Sequence, residues 1–294
     1  MKFDVNKLIE LFKGIKYNKK IIYTIQTIIF LLFLNYIFKN VSLFSNYLNI
    51  DKYFFIFIIP LIAIRILLNS FQIQTLYKYL NLKLTMLESI NIHLNYSVYN
   101  LLTFFGVGAS YKMMYLKAKH NLPLKKYLKI NTIFTFSKVL LYFFLSIIAI
   151  YFNFDILKIL ILSLSLILII YLIFKLQNLS DQKFRNYTLI LYIISIFQFF
   201  TNIFTLFFYF KSFSFNQELT NLISYFTSGF VADLIMITPG NLGFKEIFLI
   251  QTKFIHSIPE IQILTVTLFA RFFEGLLYFI IFYLFKYIIN RIQN

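Results

Sequence analysis

The run Thr238-Pro239-Gly240-Asn241-Leu242-Gly243-Phe244-Lys245-Glu246 places a proline, two glycines, an asparagine and a Lys-Glu pair inside an apolar tract of about 219–255. A proline and glycines interrupt a helix, and the freed backbone groups cannot face lipid. Gly240 and Gly243 expose N–H groups where a second helix starts, and the positive end of a helix dipole away from water is an anion site. Asn241 stands between them, and Lys245 adds charge. The chemistry on offer is recognition of an anion. The competing reading is that the glycines only allow tight helix packing.

Other charged residues lie in apolar surroundings. Arg271 and Glu274 are three apart in one tract, hence on one helix face where they can pair. Arg65 and Lys138 are further intramembrane cations, unless they snorkel to an interface. Asp233, seven residues before Gly240, is placed to balance one of them. Gly106, Gly108, Ser110 and Lys112 mirror the glycine-lysine arrangement earlier in the chain. His93, His120 and His256 are scattered without metal-ligand spacing, and there is no Ser-His-Asp set or phosphate loop. Neither metal nor cofactor nor enzymatic activity is predicted.

The elements that hold these residues are set by composition. At 60% hydrophobic and 13% charged the chain is not a soluble domain, and several tracts reach the roughly 20 apolar residues that cross a bilayer. The net charge of +17 sits in short loops between apolar tracts, a pattern of the positive-inside rule and of anionic lipid contact, not of nucleic-acid binding. Cysteine is absent, which excludes disulfide and thiol chemistry. Four arginines stand out among 28 basic residues, and Arg65 and Arg271 fall within apolar tracts.

Taken in order, residues 1–20 read as a cytoplasmic amphipathic helix, with Phe3, Leu8, Leu11, Phe12 and Ile15 near helical spacing. Full spans are predicted at about 21–38, 53–70, 130–152, 156–174, 187–210 and 261–286. The tract at about 85–105 is weaker and is followed by the most basic loop, Lys112 to Lys129. Reading it as a re-entrant hairpin keeps that loop cytoplasmic, and the 219–255 tract becomes a second hairpin. An ordinary loop between two short spans is the other reading of the second tract.

The two halves, 21–152 and 153–294, repeat at offsets of about 131–135 residues, and an odd number of crossings inverts the second. At that register Gly106 meets Gly240 and Lys112 meets Glu246. The fold class is all-α: one integral, polytopic membrane domain of about six spans and two re-entrant hairpins in an inverted repeat. Interrupted segments at matching places in two halves point to a transport site.

The Pro239-to-Glu246 run resembles the Pro-Gly-Gly-Leu-Gly-x-x-Glu signature of the lysylphosphatidylglycerol synthase transmembrane-region family, which includes the membrane half of the multiple peptide resistance factor and stand-alone flippase-like proteins. Arg65 is similar to that family's early arginine, Gly108 with Lys112 to its Gly-Glu-x-x-Arg element, Lys138 to its Glu-Arg pair, and Arg271 to the arginine of its last span. Asn241 stands where the family has glycine, and Ser137-Lys138 where it has Glu-Arg. The resemblance implies movement of a lipid or lipid-linked headgroup between leaflets. The family name implies a synthase, but the aminoacyl-transfer domain is soluble and none is present in this chain.

The resulting expectation is a flippase-like protein of the inner (plasma) membrane, with both termini cytoplasmic. It moves an anionic or amino-modified phospholipid, or a polyprenyl-phosphate-linked lipid. Its partners are membrane lipids, a lipid-modifying or envelope-polymer enzyme, or a second copy of itself. Three rivals are a small-anion transporter, a lipid-modifying enzyme with Glu246 or Asp233 as base, and a structural subunit.

Overall fold

The computed structural model describes residues 50–102, 107–151, 182–234, 241 and 243–293, all within the unit Ser42–Asn294. The amphipathic segment, the predicted spans at 21–38 and 156–174, and Gly106, Pro239 and Gly240 lie outside the described residues.

Among the described residues the fold is all-helical. A 3-10 turn, Lys52–Phe54, leads into α1 (Phe55–Tyr79). Then come α2 (Met86–Leu102), α3 (Val107–His120) and α4 (Leu124–Tyr151). A second series follows: α5 (Gln182–Ser212), α6 (Leu219–Leu234), α7 (Phe244–Gln251), the single turn α8 (Lys253–His256) and α9 (Glu260–Gln293). Each series runs long, short, short, long. Pro123 and Pro259 directly precede the two closing long helices, where a missing N–H costs nothing.

Among the described residues four segments are long and apolar enough to cross a membrane: Lys52–Tyr79, Leu124–Ile148, Asn186–Ser212 and Glu260–Ile288. They agree with the predicted spans at 53–70, 130–152, 187–210 and 261–286. Their outer faces carry large apolar side chains in the open. Phe136 is 66% exposed, Ile147 63% and Phe272 73%, surfaces that suit hydrocarbon and not water. This is a membrane protein by the length and apolar character of its helices.

Helices α1 and α5 run antiparallel along their whole length. The Asp51 N–H donates to Ser212 O at 2.8 Å at one end, and Tyr79 meets Tyr187 edge to face at the other. The short helices pack in pairs, α2 on α3 and α6 on α7. The long closing helices then exchange partners: α4 packs on α6, and α9 packs on α2 as well as on α7. Each series therefore completes the other.

Candidate functional site: a charged cavity among the apolar helices

The second short pair holds the Gly-rich turn. Gly243 sits at φ 84°, a conformation that side chains resist, so glycine is required for the chain to enter α7. Its N–H is not open to a ligand. Glu246, three residues on, turns back and accepts it through Oε2 at 2.7 Å, half of a capping box. This corrects the expectation that Gly243 offers a bare backbone donor. Asn241, also at positive φ, donates through Nδ2 to Ala232 O at 2.7 Å, tying the turn to the end of α6.

Glu246 is fully buried, and its other oxygen lies 3.1 Å from Arg271 Nε on α9. Glu274 pairs with Arg65 on α1. Arg271 and Glu274 do share a face of α9, but these ion pairs run between helices, not along α9 as expected from their spacing. A carboxylate and a guanidinium on facing helices meet head-on, whereas neighbours on one helix lie side by side. Arg65 also donates to Asn202 Oδ1 at 3.4 Å, and the Tyr209 hydroxyl reaches Glu274 at 3.4 Å. Asp233 pairs with Lys245, one turn of chain beyond the break, and not with Arg65 or Lys138 as its place in the sequence suggested. The Lys245 stem crosses α6 at Gly229, where an added Cβ would stand 3.1 Å from Lys245 Cε.

These groups enclose a cavity of about 220 Å³. Arg65, Asp233, Lys245, Arg271 and Glu274 line it, and hydroxyls come from Thr205, Tyr209, Tyr225 and Thr267. The walls belong to α1, α5, α6, α7 and α9. Tyr225 and Thr267 close one side with a 2.5 Å hydroxyl contact between α6 and α9. Such a site can hold a small charged group by charge-assisted hydrogen bonds. Glu246 stands behind Arg271 and does not line the cavity.

Three predicted site residues lie elsewhere. Lys138 is held by Gln198 Oε1 at 2.6 Å and Gln72 Oε1 at 3.4 Å, beneath the rings of Tyr142 and Phe230. Gly108 is a packing glycine, since a Cβ there would stand 2.2 Å from Tyr96 O, and its N–H is taken by Asn100 Oδ1 at 2.9 Å. That corrects its reading as a backbone donor for a headgroup. Lys112 sits 5.8–5.9 Å from the ring centres of Tyr77, Tyr96 and Tyr127. Neither Gly108 nor Lys112 lines the cavity, whereas Lys245 from the second glycine turn does.

Sequence reasoning missed the polar file on α1 and α5. Arg65, Asn69 and Gln72 follow each other at helical spacing, as do Gln198, Asn202, Thr205 and Tyr209. Polar residues repeated at that spacing in apolar spans were the signal. Also missed was a cluster at the open end of the first short pair. There Glu88 Oε1 meets Tyr115 at 2.9 Å, Lys119 at 2.9 Å and His120 at 2.8 Å. Burial works against ionisation of Glu88, but those three hydrogen bonds outweigh it and hold the carboxyl below its usual range.

No family model, curated protein or solved structure matches this chain.

Proposed function

We propose that this protein moves a lipid with an anionic or amino-modified headgroup between leaflets of the inner membrane. The observation that carries the reading is the cavity itself. Cations from α1, α7 and α9 (Arg65, Lys245 and Arg271) converge on one small space among helices whose outer faces are apolar. Charges at such depth are expensive and mark a substrate path. Each cation meets a carboxylate, so the empty site is near neutral, and an entering phosphate competes for N–H groups already held in place.

In this reading α2–α3 and α6–α7 are re-entrant hairpins. Their lengths of 17, 14, 16 and 8 residues fall short of a span. The reciprocal packing of α4 on the second pair and α9 on the first supports an inverted repeat of six spans and two hairpins. The resemblance of the Pro239–Glu246 run to the lysylphosphatidylglycerol synthase transmembrane-region family points the same way. The tails of the lipid stay in the bilayer while the headgroup crosses through the cavity. A lipid-modifying or envelope-polymer enzyme would supply or consume the lipid.

Leaflet exchange tests this directly. Purified protein in phosphatidylcholine–phosphatidylglycerol vesicles, with fluorescent phosphatidylglycerol as reporter, is expected to speed exchange above protein-free vesicles. The double variant Glu246→Gln/Arg271→Gln, which leaves no lone buried charge, should melt near wild type. It should exchange about tenfold more slowly or worse, the scale of one lost charge-assisted hydrogen bond. Exchange no faster than in protein-free vesicles would remove the lipid reading. Uptake of inorganic phosphate by the same vesicles would then favour the small-anion transporter.

A further inference from the structure

Lys138 is a half-buried cation that does not line the cavity. Its Nζ donates to two carboxamide oxygens, Gln198 at 2.6 Å and Gln72 at 3.4 Å. Gln198 Nε2 in turn donates to Gln72 Oε1 at 2.8 Å and Asn69 Oδ1 at 2.9 Å. Ring faces of Tyr142 and Phe230 complete the enclosure at 5.4 and 6.0 Å. The groups facing the amine thus come from α1 (Gln72, backed by Asn69), α5 (Gln198), α6 (Phe230) and its own α4 (Tyr142). Tyr142 is the titratable group among them, and no carboxylate pairs with Lys138 among the described residues.

This enclosure differs in kind from the three ion pairs of the cavity. A carboxylate only accepts, and it holds its partner as a cation. A carboxamide has both an acceptor and donors, so by turning it serves an ammonium or a free amine equally well. Lysine is also the basic side chain that gives up its proton in buried sites, which arginine does not.

The amine is wired to the cavity by two routes. Phe230 covers Lys138 on one side and lines the cavity on the other. Through hydrogen bonds, Gln198 O accepts from Asn202 Nδ2 at 2.7 Å, Asn202 Oδ1 accepts from Arg65, and Arg65 holds Glu274. A change at Lys138 therefore reaches the Arg65–Glu274 pair through two residues, Gln198 and Asn202.

We propose that Lys138 is the proton-carrying group of the transport cycle, taking one proton from water on one side of the membrane and releasing it on the other as the cavity changes access. On uptake the amine lone pair forms an N–H bond as an O–H bond of hydronium breaks, on release the proton returns to a water molecule, and the energy source is the proton gradient. The inference rests on the lipid-exchange reading above.

The test imposes a pH gradient on the same phosphatidylglycerol reporter vesicles and compares exchange with and without it. Wild type is expected to exchange several-fold faster with the gradient in one direction and more slowly when it is reversed. Lys138→Gln, always neutral, and Lys138→Arg, always charged, should both lose that stimulation, giving a ratio of one. Gln198→Glu offers a second route should either variant fold poorly, because a carboxylate beside the amine locks it as ammonium and should also bring the ratio to one. Lys211→Gln, an exposed lysine engaged with Asn216, should keep the wild-type ratio. A stimulated ratio in Lys138→Arg or in Gln198→Glu would overturn the proposal, since charge alone would then suffice. A wild-type ratio of one with brisk exchange would overturn the coupling and leave the lipid reading standing. No exchange by wild type under any gradient would remove both.

Discussion

The two short helix pairs occupy matching places in their series, and each opens its second helix at a glycine, but they carry opposite charge. In each, the second helix begins at a glycine whose N–H is satisfied by a side chain: Gly108 by Asn100, Gly243 by Glu246. One turn beyond its glycine the first pair has Lys112 and the second Glu246. The surroundings follow the charge. Lys112 is met by three tyrosine faces, which stabilise a cation without being charged themselves. Glu246 is met by a guanidinium from another helix and becomes fully buried. Ionic groups of the first pair gather instead at its open end, around Glu88, with Lys119 about half exposed. The second pair is thereby bound into the cavity wall, while the first packs on α1 and α9 without lining the cavity.

That contrast can be broken most forcefully at Glu246. Glu246→Ala uncaps Gly243 and leaves Arg271 facing a buried gap, an expected loss of about 3–5 kcal/mol in unfolding experiments. The double variant Glu246→Gln/Arg271→Gln should recover most of it. A single variant as stable as wild type would show that the second pair does not depend on this ion pair.

Alanine at the two glycines comes next. Gly108→Ala drives a Cβ into Tyr96 O, and Gly243→Ala holds a side chain at φ 84°. Each should cost about 1–3 kcal/mol, by overpacking in the first case and backbone strain in the second. Because the cause differs, Gly108→Ala should loosen α2 against α3 in hydrogen exchange, whereas Gly243→Ala should expose the start of α7. Matching exchange patterns would merge the two mechanisms.

Lys112→Met keeps the stem and removes the charge from the tyrosine cage. It should cost about 0.5–2 kcal/mol in melting measurements, well below the loss at Glu246. An equal loss would mean that Lys112 has a stronger role than ring contact.

The smallest effect is expected at Glu88. Its pKa is lowered in the folded protein, so its stabilisation is present above the ordinary carboxylate range and disappears as pH falls through the folded value. Glu88→Gln should flatten that acid limb of the stability curve at a cost of about 1 kcal/mol or less near neutrality. An unchanged acid limb would place the dependence on another carboxylate.

The residues show where sequence reasoning reaches and where it stops. The long spans were legible because an apolar run near bilayer length is a local property. Gly243 was legible as a turn, and Asp233 as the partner of a cation, but not that this cation is Lys245. Arg271 and Glu274 were legible as residues that matter, but not as residues with other partners. Their partners, Glu246 and Arg65, lie on other helices, and i, i+3 spacing cannot weigh a facing helix against a neighbouring turn. The cavity wall escaped in part for the same reason: the spacing of Asn202 and Tyr209 marks a polar file on α5 but not which helices face it, and Thr267 is unremarkable within its own helix.

The amino-acid sequence by itself determined a membrane-embedded helical chain, its breaks and its store of intramembrane charge, because hydropathy, proline and glycine act through the nearest few residues. Only the tertiary structure decided which cation meets which carboxylate, that Glu246 closes the glycine N–H, and that Lys138 faces carboxamides. Those outcomes depend on the approach of side chains from helices far apart in sequence, where a shift of a few ångströms selects one partner over another.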